Sequence, residues 1–288
     1  MKKIFCLFLG IAILSLPSCF KLDNWDEPDC TFYGTIFDSY TEKPLLASQN
    51  DWQIRIWERS WTGQEGGATT QQDLRIKQDG TFQNTKLFAG TYDMLPYDGP
   101  FWQVIDTAKN VVLKGKVEQN FTVTPYLVID GFTYQQVEMP ANRGGGPGIW
   151  VKFRVKAPAL TFQVGSETRT IPNLREIRLF ISHTDFCGNG SNSSIGDTEY
   201  TDNGKGRLDV NQSWANILDN TWKYAQSEAM GGLKADENPP IANQNTSPEF
   251  DFLVRVKKGY TYSVRVGAST ATGGNRWNYS PIQKITIQ

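Results

Sequence analysis

The chain is short of the side chains that carry most enzyme chemistry. Its 288 residues include one histidine, His183, and four cysteines. Structural zinc takes four cysteine or histidine ligands, and beyond residue 19 only His183, Cys30 and Cys187 are on offer. The segment Ser182-His183-Thr184-Asp185-Phe186-Cys187 brings an imidazole near a thiol, but no oxyanion-stabilising motif stands beside it, so a Cys-His nucleophile gains no support. Charge of one sign is missing too. With 29 Lys plus Arg against 30 Asp plus Glu, the formal charge is -1, which offers nucleic acid no basic face. Thirty carboxylates will place some pair at glycosidase spacing by accident, so their number identifies no hydrolase. Beyond residue 16 there is no long apolar run and the mean hydropathy is -0.44, so no later segment is expected to span a membrane. The expectation is a protein that is not an enzyme and holds no cofactor or metal.

What is present begins with a leader. Met1-Lys2-Lys3 precedes an apolar run over residues 4–16, too short for a spanning helix of about 20 residues, and Leu16-Pro17-Ser18-Cys19 follows. Leu16, Ser18 and Cys19 match a lipobox, with Pro17 departing at its middle position. Residues 1–18 therefore read as a lipoprotein signal peptide and Cys19 as the lipid-bearing first residue of the mature chain. Cleavage removes Lys2 and Lys3, taking the charge from -1 to -3, and leaves 270 residues, room for two domains. Residues 19–29, with Asp23, Asp26 and Glu27, read as an acidic tether. The tether resembles the acid-rich export tag that sends Bacteroidetes lipoproteins to the outer face of the outer membrane, so the expected place is that membrane, facing outward. Cys30 and Cys187 read as two free thiols, because one bridge is not a disulfide framework.

Apolar residues then recur at every second position. Ile54 and Ile56 alternate with Arg55 and Trp57; Ile149, Val151, Phe153 and Val155 alternate with Trp150, Lys152 and Arg154. The same holds for Ile177, Leu179 and Ile181, for Phe250, Phe252, Val254 and Val256, and for Tyr262, Val264, Val266 and Ala268. This alternation predicts half-buried antiparallel strands, and 26 Gly with 14 Pro between short segments predict an all-β chain of sandwiches. One exception is Trp214, Ile217, Leu218 and Trp222, whose three- and four-residue spacing predicts a short helix within a loop insertion. Residues 139–148, with three glycines between prolines, read as a linker that divides a first domain, 30–138, from a second, 149–288.

In the first domain Gly34-Thr35-Ile36-Phe37-Asp38 leads to Thr41-Glu42-Lys43-Pro44-Leu45, then Asp79-Gly80-Thr81-Phe82 and Leu87-Phe88-Ala89-Gly90-Thr91-Tyr92. This order resembles the carboxypeptidase-regulatory-like, or transthyretin-like, β-sandwich, with Glu42-Lys43 standing in the first turn where that family usually has Thr-Gly. In the second domain, residues 258–268 resemble the penultimate strand of immunoglobulin and fibronectin type III sandwiches, where Tyr260 or Tyr262 could form a tyrosine corner. The whole arrangement is similar to the uncharacterised Bacteroidetes lipoprotein family known as domain of unknown function 3823, associated with glycan-utilisation loci. The resemblance implies a role in polysaccharide capture or import beside an outer-membrane transporter and its surface lipoprotein.

Sugars present C–H faces that stack on aromatic rings, and hydroxyls that need amides, carboxylates or guanidinium groups nearby. Trp57 and Trp150 fall on the polar side of their strands; Trp61 and Trp277 fall in predicted loops, the latter with Tyr279. These are the candidate glycan-stacking residues, and core or interface packing is the competing reading of each. The second domain's loops are expected to carry the site, with the first domain as a spacer from the membrane. The alternative is a structural or adhesin-like scaffold that binds protein partners rather than glycan. Asn189, Asn192, Asp197, Glu199, Asp202 and Asn203 offer oxygen ligands but lack the ordered spacing of a calcium loop, and read as a solvated loop.

Overall fold

The computed structural model describes residues 27–49, 51–60, 71–141, 144–190, 206–222, 238–271 and 276–288. Cys19 with its leader, Trp61, and Asn192, Asp197, Glu199, Asp202 and Asn203 of the oxygen-rich loop lie outside the described residues. The chain is all β, folded as sandwiches.

In the first domain, β1 (Cys30–Asp38), β2 (Gln53–Glu58), β3 (Gln71–Arg75), β4 (Thr81–Leu87), β5 (Gly90–Tyr97), β6 (Ala108–Leu113), β7 (Lys116–Glu118) and β8 (Phe121–Val123) make two sheets. One runs β4-β1-β7 with β8 also on β1, and the other runs β3-β2-β5-β6. Burial along β1 alternates strictly, with Phe32 and Ile36 inward and Tyr33 and Thr35 outward, as a pleated strand with one covered face requires. Between the sheets lie Phe32, Ile54, Ile56, Phe82 and Met94, with Trp52 edge-on to Phe101 at 5.2 Å. Each such side chain contributes about 1.5–3 kcal/mol relative to an exposed one, which holds the two sheets face to face. The motifs become bonds. Asp38 accepts from the backbone N–H of Tyr40 at 2.7 Å and from the Thr41 hydroxyl at 2.9 Å, fixing the turn after β1, and the Tyr92 hydroxyl donates to the Phe88 carbonyl at 3.0 Å.

The second domain is antiparallel throughout. A three-stranded sheet, β15-β10-β9, uses β9 (Val128–Glu138), β10 (Pro147–Lys156) and β15 (Phe250–Arg255). Facing it, β13 (Leu174–Ser182), β14 (Arg207–Gln212), β16 (Thr261–Thr270), β17 (Trp277–Tyr279) and β18 (Gln283–Thr286) form the order β14-β13-β16-β17 with β18 also on β16, while β11 (Thr161–Val164) and β12 (Glu167–Thr170) form a separate hairpin. The expected helix is α1 (Trp214–Leu218), capped by the Ser213 hydroxyl on the Asn216 N–H and burying Trp214 and Ile217. Tyr262 makes the corner: its buried hydroxyl accepts from the Lys257 N–H at 2.9 Å, whereas Tyr260 is exposed.

The structure corrects the expected linker. β9 and β10 form a hairpin, because Glu138 pairs with Pro147 and Val137 with Gly148. Gly144, Gly145 and Gly146 all stand at positive φ (87°, 59° and 83°), the conformation a tight reversal needs and glycine tolerates. The chain passes from one domain to the other earlier, between β8 and β9. Neither β15 nor β16 has an exposed face as alternation predicted: Asp251, Ser263 and Arg265 are all buried.

On β16, Arg265 explains why. Its face of β16 is covered by the first domain. The guanidinium, wholly buried, donates to the Ala47 carbonyl at 2.9 Å and lies 3.7 Å over the Tyr279 ring, with Asp51 beside it. Ser48 Oγ accepts from the Gly190 N–H at 3.0 Å, and Leu46 packs on Phe180, Cys187, Trp277 and Tyr279. A Cβ on Gly188 would run into the Arg265 guanidinium and the Ser48 side chain, so glycine is required for this close approach. Burial pushes the Asp51 carboxyl up to about 6, against the opposing pull of its hydrogen bonds and of Arg265. One buried polar cluster therefore clamps the two domains together.

Candidate functional site

On the outer face of the β3-β2-β5-β6 sheet, Arg55 and Trp57 stand on the same side as Leu95 and Tyr97, because β2 and β5 pair Arg55 with Leu95 and Gln53 with Tyr97. After β5 the chain reverses through Asp98, at φ 65°, and returns along Phe101, Gln103 and Val104. Tyr126, at the passage to the second domain, and Arg276, just before β17, close the far side. Between them is a groove of about 340 Å³.

Four rings line it: half-buried Trp57 and Tyr126, exposed Tyr97 and buried Phe101. Tyr97, Tyr126, Gln103 and the Asp98–Arg276 pair are braced. The Arg55 guanidinium stacks on Tyr97 at 3.7 Å and is itself fixed by two hydrogen bonds to Asp73, at 2.8 and 3.0 Å. Tyr126 leans on Trp102 at 5.1 Å, and Trp102 stacks on Phe162 of β11 at 5.3 Å. Gln103 accepts from Arg169 of β12 at 2.9 Å. Arg276 donates to the Asp98 carboxylate, an ion pair that bridges the domains at the groove's edge. Partial burial lowers the Arg276 pKa from its ordinary value, against the opposing pull of Tyr97. Rings beside a carboxylate, an amide and a guanidinium, all held in place before any ligand arrives, can stack a sugar face and hydrogen-bond its hydroxyls with little ordering cost.

Of the candidate stacking residues that are described, Trp57 alone lines this groove. Trp150 lies on β10, where its indole N–H donates to Asp251 at 2.9 Å, its ring sits 4.0 Å beneath the Lys152 ammonium, and Met139 and Leu253 pack nearby. Trp277 and Tyr279 are corrections. The glycines before them suggested a loop, but residues 277–279 form β17 on β16, and both rings are buried in the interdomain cluster, Trp277 edge-on to Phe180 at 5.2 Å. Neither is open to a ligand. The groove's wall comes mainly from the first domain, which was expected to be a spacer. Tyr97, Asp98, Gln103 and Tyr126 went unread, and Arg276 was legible only as a polar neighbour of Trp277; the one local signal for the rest was Tyr97-Asp98-Gly99-Pro100, a turn with an aromatic on the polar face of its strand.

The Cys-His segment has no nucleophile. Cys187 is a free, buried thiol that donates to the Ser263 carbonyl at 3.4 Å, and burial pushes it up to about 12, far from a thiolate at neutral pH. His183 instead lies against the rings of Tyr262 and Tyr260, at 4.8 and 5.4 Å. Cys30 is free as well.

Residues 30–124 match the family model described as "Protein of unknown function (DUF3823) N-terminal domain". That match ends where β8 ends, in keeping with β9 belonging to the second domain. No curated protein matches the chain. Among solved structures, a protein from Bacteroides uniformis described as a "putative carbohydrate binding protein" is similar at 21% identity and a TM-score of 0.60, covering 90% of this chain and 100% of its own. A DUF3823 family protein from the same organism is similar at 21% identity and a TM-score of 0.56, and another from Parabacteroides merdae at 16% and 0.55; each match covers 91% of this chain and 100% of the other. At such identities these structures speak for the fold, and they do so over both domains. Residues 30–124 thus match the DUF3823 N-terminal domain in sequence, and over both domains the chain is similar in fold to proteins of that family.

Proposed function

We propose that the chain is a non-catalytic surface lipoprotein, held by lipid on Cys19 in the outer membrane, that assists polysaccharide binding or uptake beside a glycan transporter. The observation that carries the reading is the braced groove, in which Trp57, Tyr97 and Tyr126 stand beside Asp98, Gln103 and Arg276. Aromatic faces with hydrogen-bonding groups at their rim are the chemistry that pyranose rings need. The carbohydrate-binding description of a neighbour of similar fold agrees with it. Leu16, Ser18 and Cys19 support the anchor.

The test is affinity electrophoresis and calorimetry of the chain from residue 20 onward against a panel of polysaccharides. Trp57→Ala should weaken binding about tenfold or more, since it removes the largest ring of the groove while leaving the sheet's inner face intact. Binding that survives unchanged in both Trp57→Ala and Tyr97→Ala would remove the groove as the site. Palmitate labelling lost on Cys19→Ala tests the anchor separately.

A further inference from the structure

The charges around the groove cancel. Arg276 is paired with Asp98, Arg55 with Asp73, and Arg169, which holds Gln103, with Glu167 at 3.1 Å. Residues 61–70 and 272–275, the neighbours of the groove in sequence, contain no lysine or arginine. A groove built for uronic acids or sulfated sugars would offer a guanidinium or ammonium without a resident counterion, because a ligand's anion must otherwise displace one carboxylate with another.

We infer that the groove takes neutral glycans, and that the Asp98–Arg276 pair determines this selectivity; the inference rests on the glycan-binding reading above. The pair is matched to a vicinal diol. One hydroxyl donates to the Asp98 carboxylate and its neighbour accepts from the Arg276 guanidinium, so both hydroxyls are satisfied without breaking the ion pair or adding charge. An approaching carboxylate or sulfate meets Asp98 first, the more exposed partner (42% against 22% for Arg276), and is repelled. Because Arg276 belongs to the second domain and Asp98 to the first, the clamp around Arg265 also positions this discriminating pair.

The test uses cello-, xylo- and manno-oligosaccharides as neutral probes, with oligogalacturonate and chondroitin sulfate fragments as anionic ones, at low and high salt. The wild-type chain should bind at least one neutral series with an affinity that is flat in salt and falls on Trp57→Ala, and should bind neither anionic probe. Asp98→Asn, which frees Arg276 at nearly constant shape, should gain an anionic probe by about tenfold or more, in a manner weakened by salt. Adding Arg276→Gln should abolish that gain. Wild-type binding of an anionic probe as tight as any neutral one, yet lost on Trp57→Ala, overturns the selectivity while leaving the groove reading intact; so does an Asp98→Asn variant that gains nothing. Failure of every probe to bind removes both readings.

Discussion

Arg265→Ala should unhinge the two domains at a cost that can be worked from the structure. The guanidinium makes a charge-assisted hydrogen bond to the Ala47 carbonyl, of the kind worth about 1.5–3 kcal/mol. It also caps the Tyr279 ring at 3.7 Å, a cation–π contact of about 2 kcal/mol when desolvated. Against these stands the cost of burying a charge, which truncation would relieve. Truncation also leaves Asp51 without its cation and a void where a large side chain was, so the net loss should be about 3–5 kcal/mol, as for other buried pairs broken from one side. At about 2–4 °C per kcal/mol for a unit of this size, Tm should fall by roughly 6–20 °C at pH 7. Calorimetry reads this directly. Arg265→Lys should recover only part of it, because an ammonium cannot lie flat on the ring and reach Ala47 together. Arg265→Met with Asp51→Asn, which removes both charges, should be less damaging than Arg265→Ala alone. A Tm within 2 °C of wild type for Arg265→Ala, or strict additivity of Arg265→Ala and Asp51→Asn, would refute the clamp.

Asp51 also sets a pH dependence. Its carboxyl is raised to about 6 in the folded chain against 3.8 unfolded, so the folded state holds the extra proton between those values. The stability this supplies is complete below about pH 4 and is lost as pH rises through 6; urea midpoints of wild type should fall across that window more than those of Asp51→Asn, and equal slopes would contradict it. Trp277→Ala should cost about 3–5 kcal/mol in a urea melt, as a wholly buried indole does, and a loss under 1 kcal/mol would return Trp277 to the surface. Glu42, at φ 58°, occupies the left-handed conformation that glycine adopts freely, so Glu42→Gly should raise stability by about 1 kcal/mol; a decrease would mean that its side chain has a role in the turn.

The strands were legible because period-two alternation is imposed by the pleat, and Ile54, Ile149 and Ile177 point inward as it requires. The same rule failed at Arg265. Alternation says which residues share a face, but not that the face is covered by residue 47, which lies 218 positions away. The Gly144-Gly145-Gly146 run was ambiguous for a different reason: positive φ serves a hairpin reversal and a domain linker alike, and only the pairing of Glu138 with Pro147 separates them. Trp277 was misplaced because β17 is three residues long, too short to show a period. The groove was legible only at Trp57. Its wall is gathered from segments around 57, 95–104, 126 and 276, and no local pattern links them.

The 218-residue span between Ala47 and Arg265 also has a consequence in time. A chain made from its N-terminus at about 5–20 residues per second finishes the first domain's last strand, at Val123, roughly 7–28 s before Arg265 is added. During that interval Leu46, Ser48 and Asp51 have no cover, so the first domain must stay folded with its future interface wet. The polar make-up of that surface suits the wait: a hydroxyl and a carboxylate, which water serves as well as Gly190 and Tyr279 do later, surround a single leucine. Docking must wait for that synthesis, because it joins Ala47 to Arg265 across 218 positions. The groove's Asp98–Arg276 edge comes into being only when the domains meet, so on the proposed reading a glycan bound there would report completed assembly.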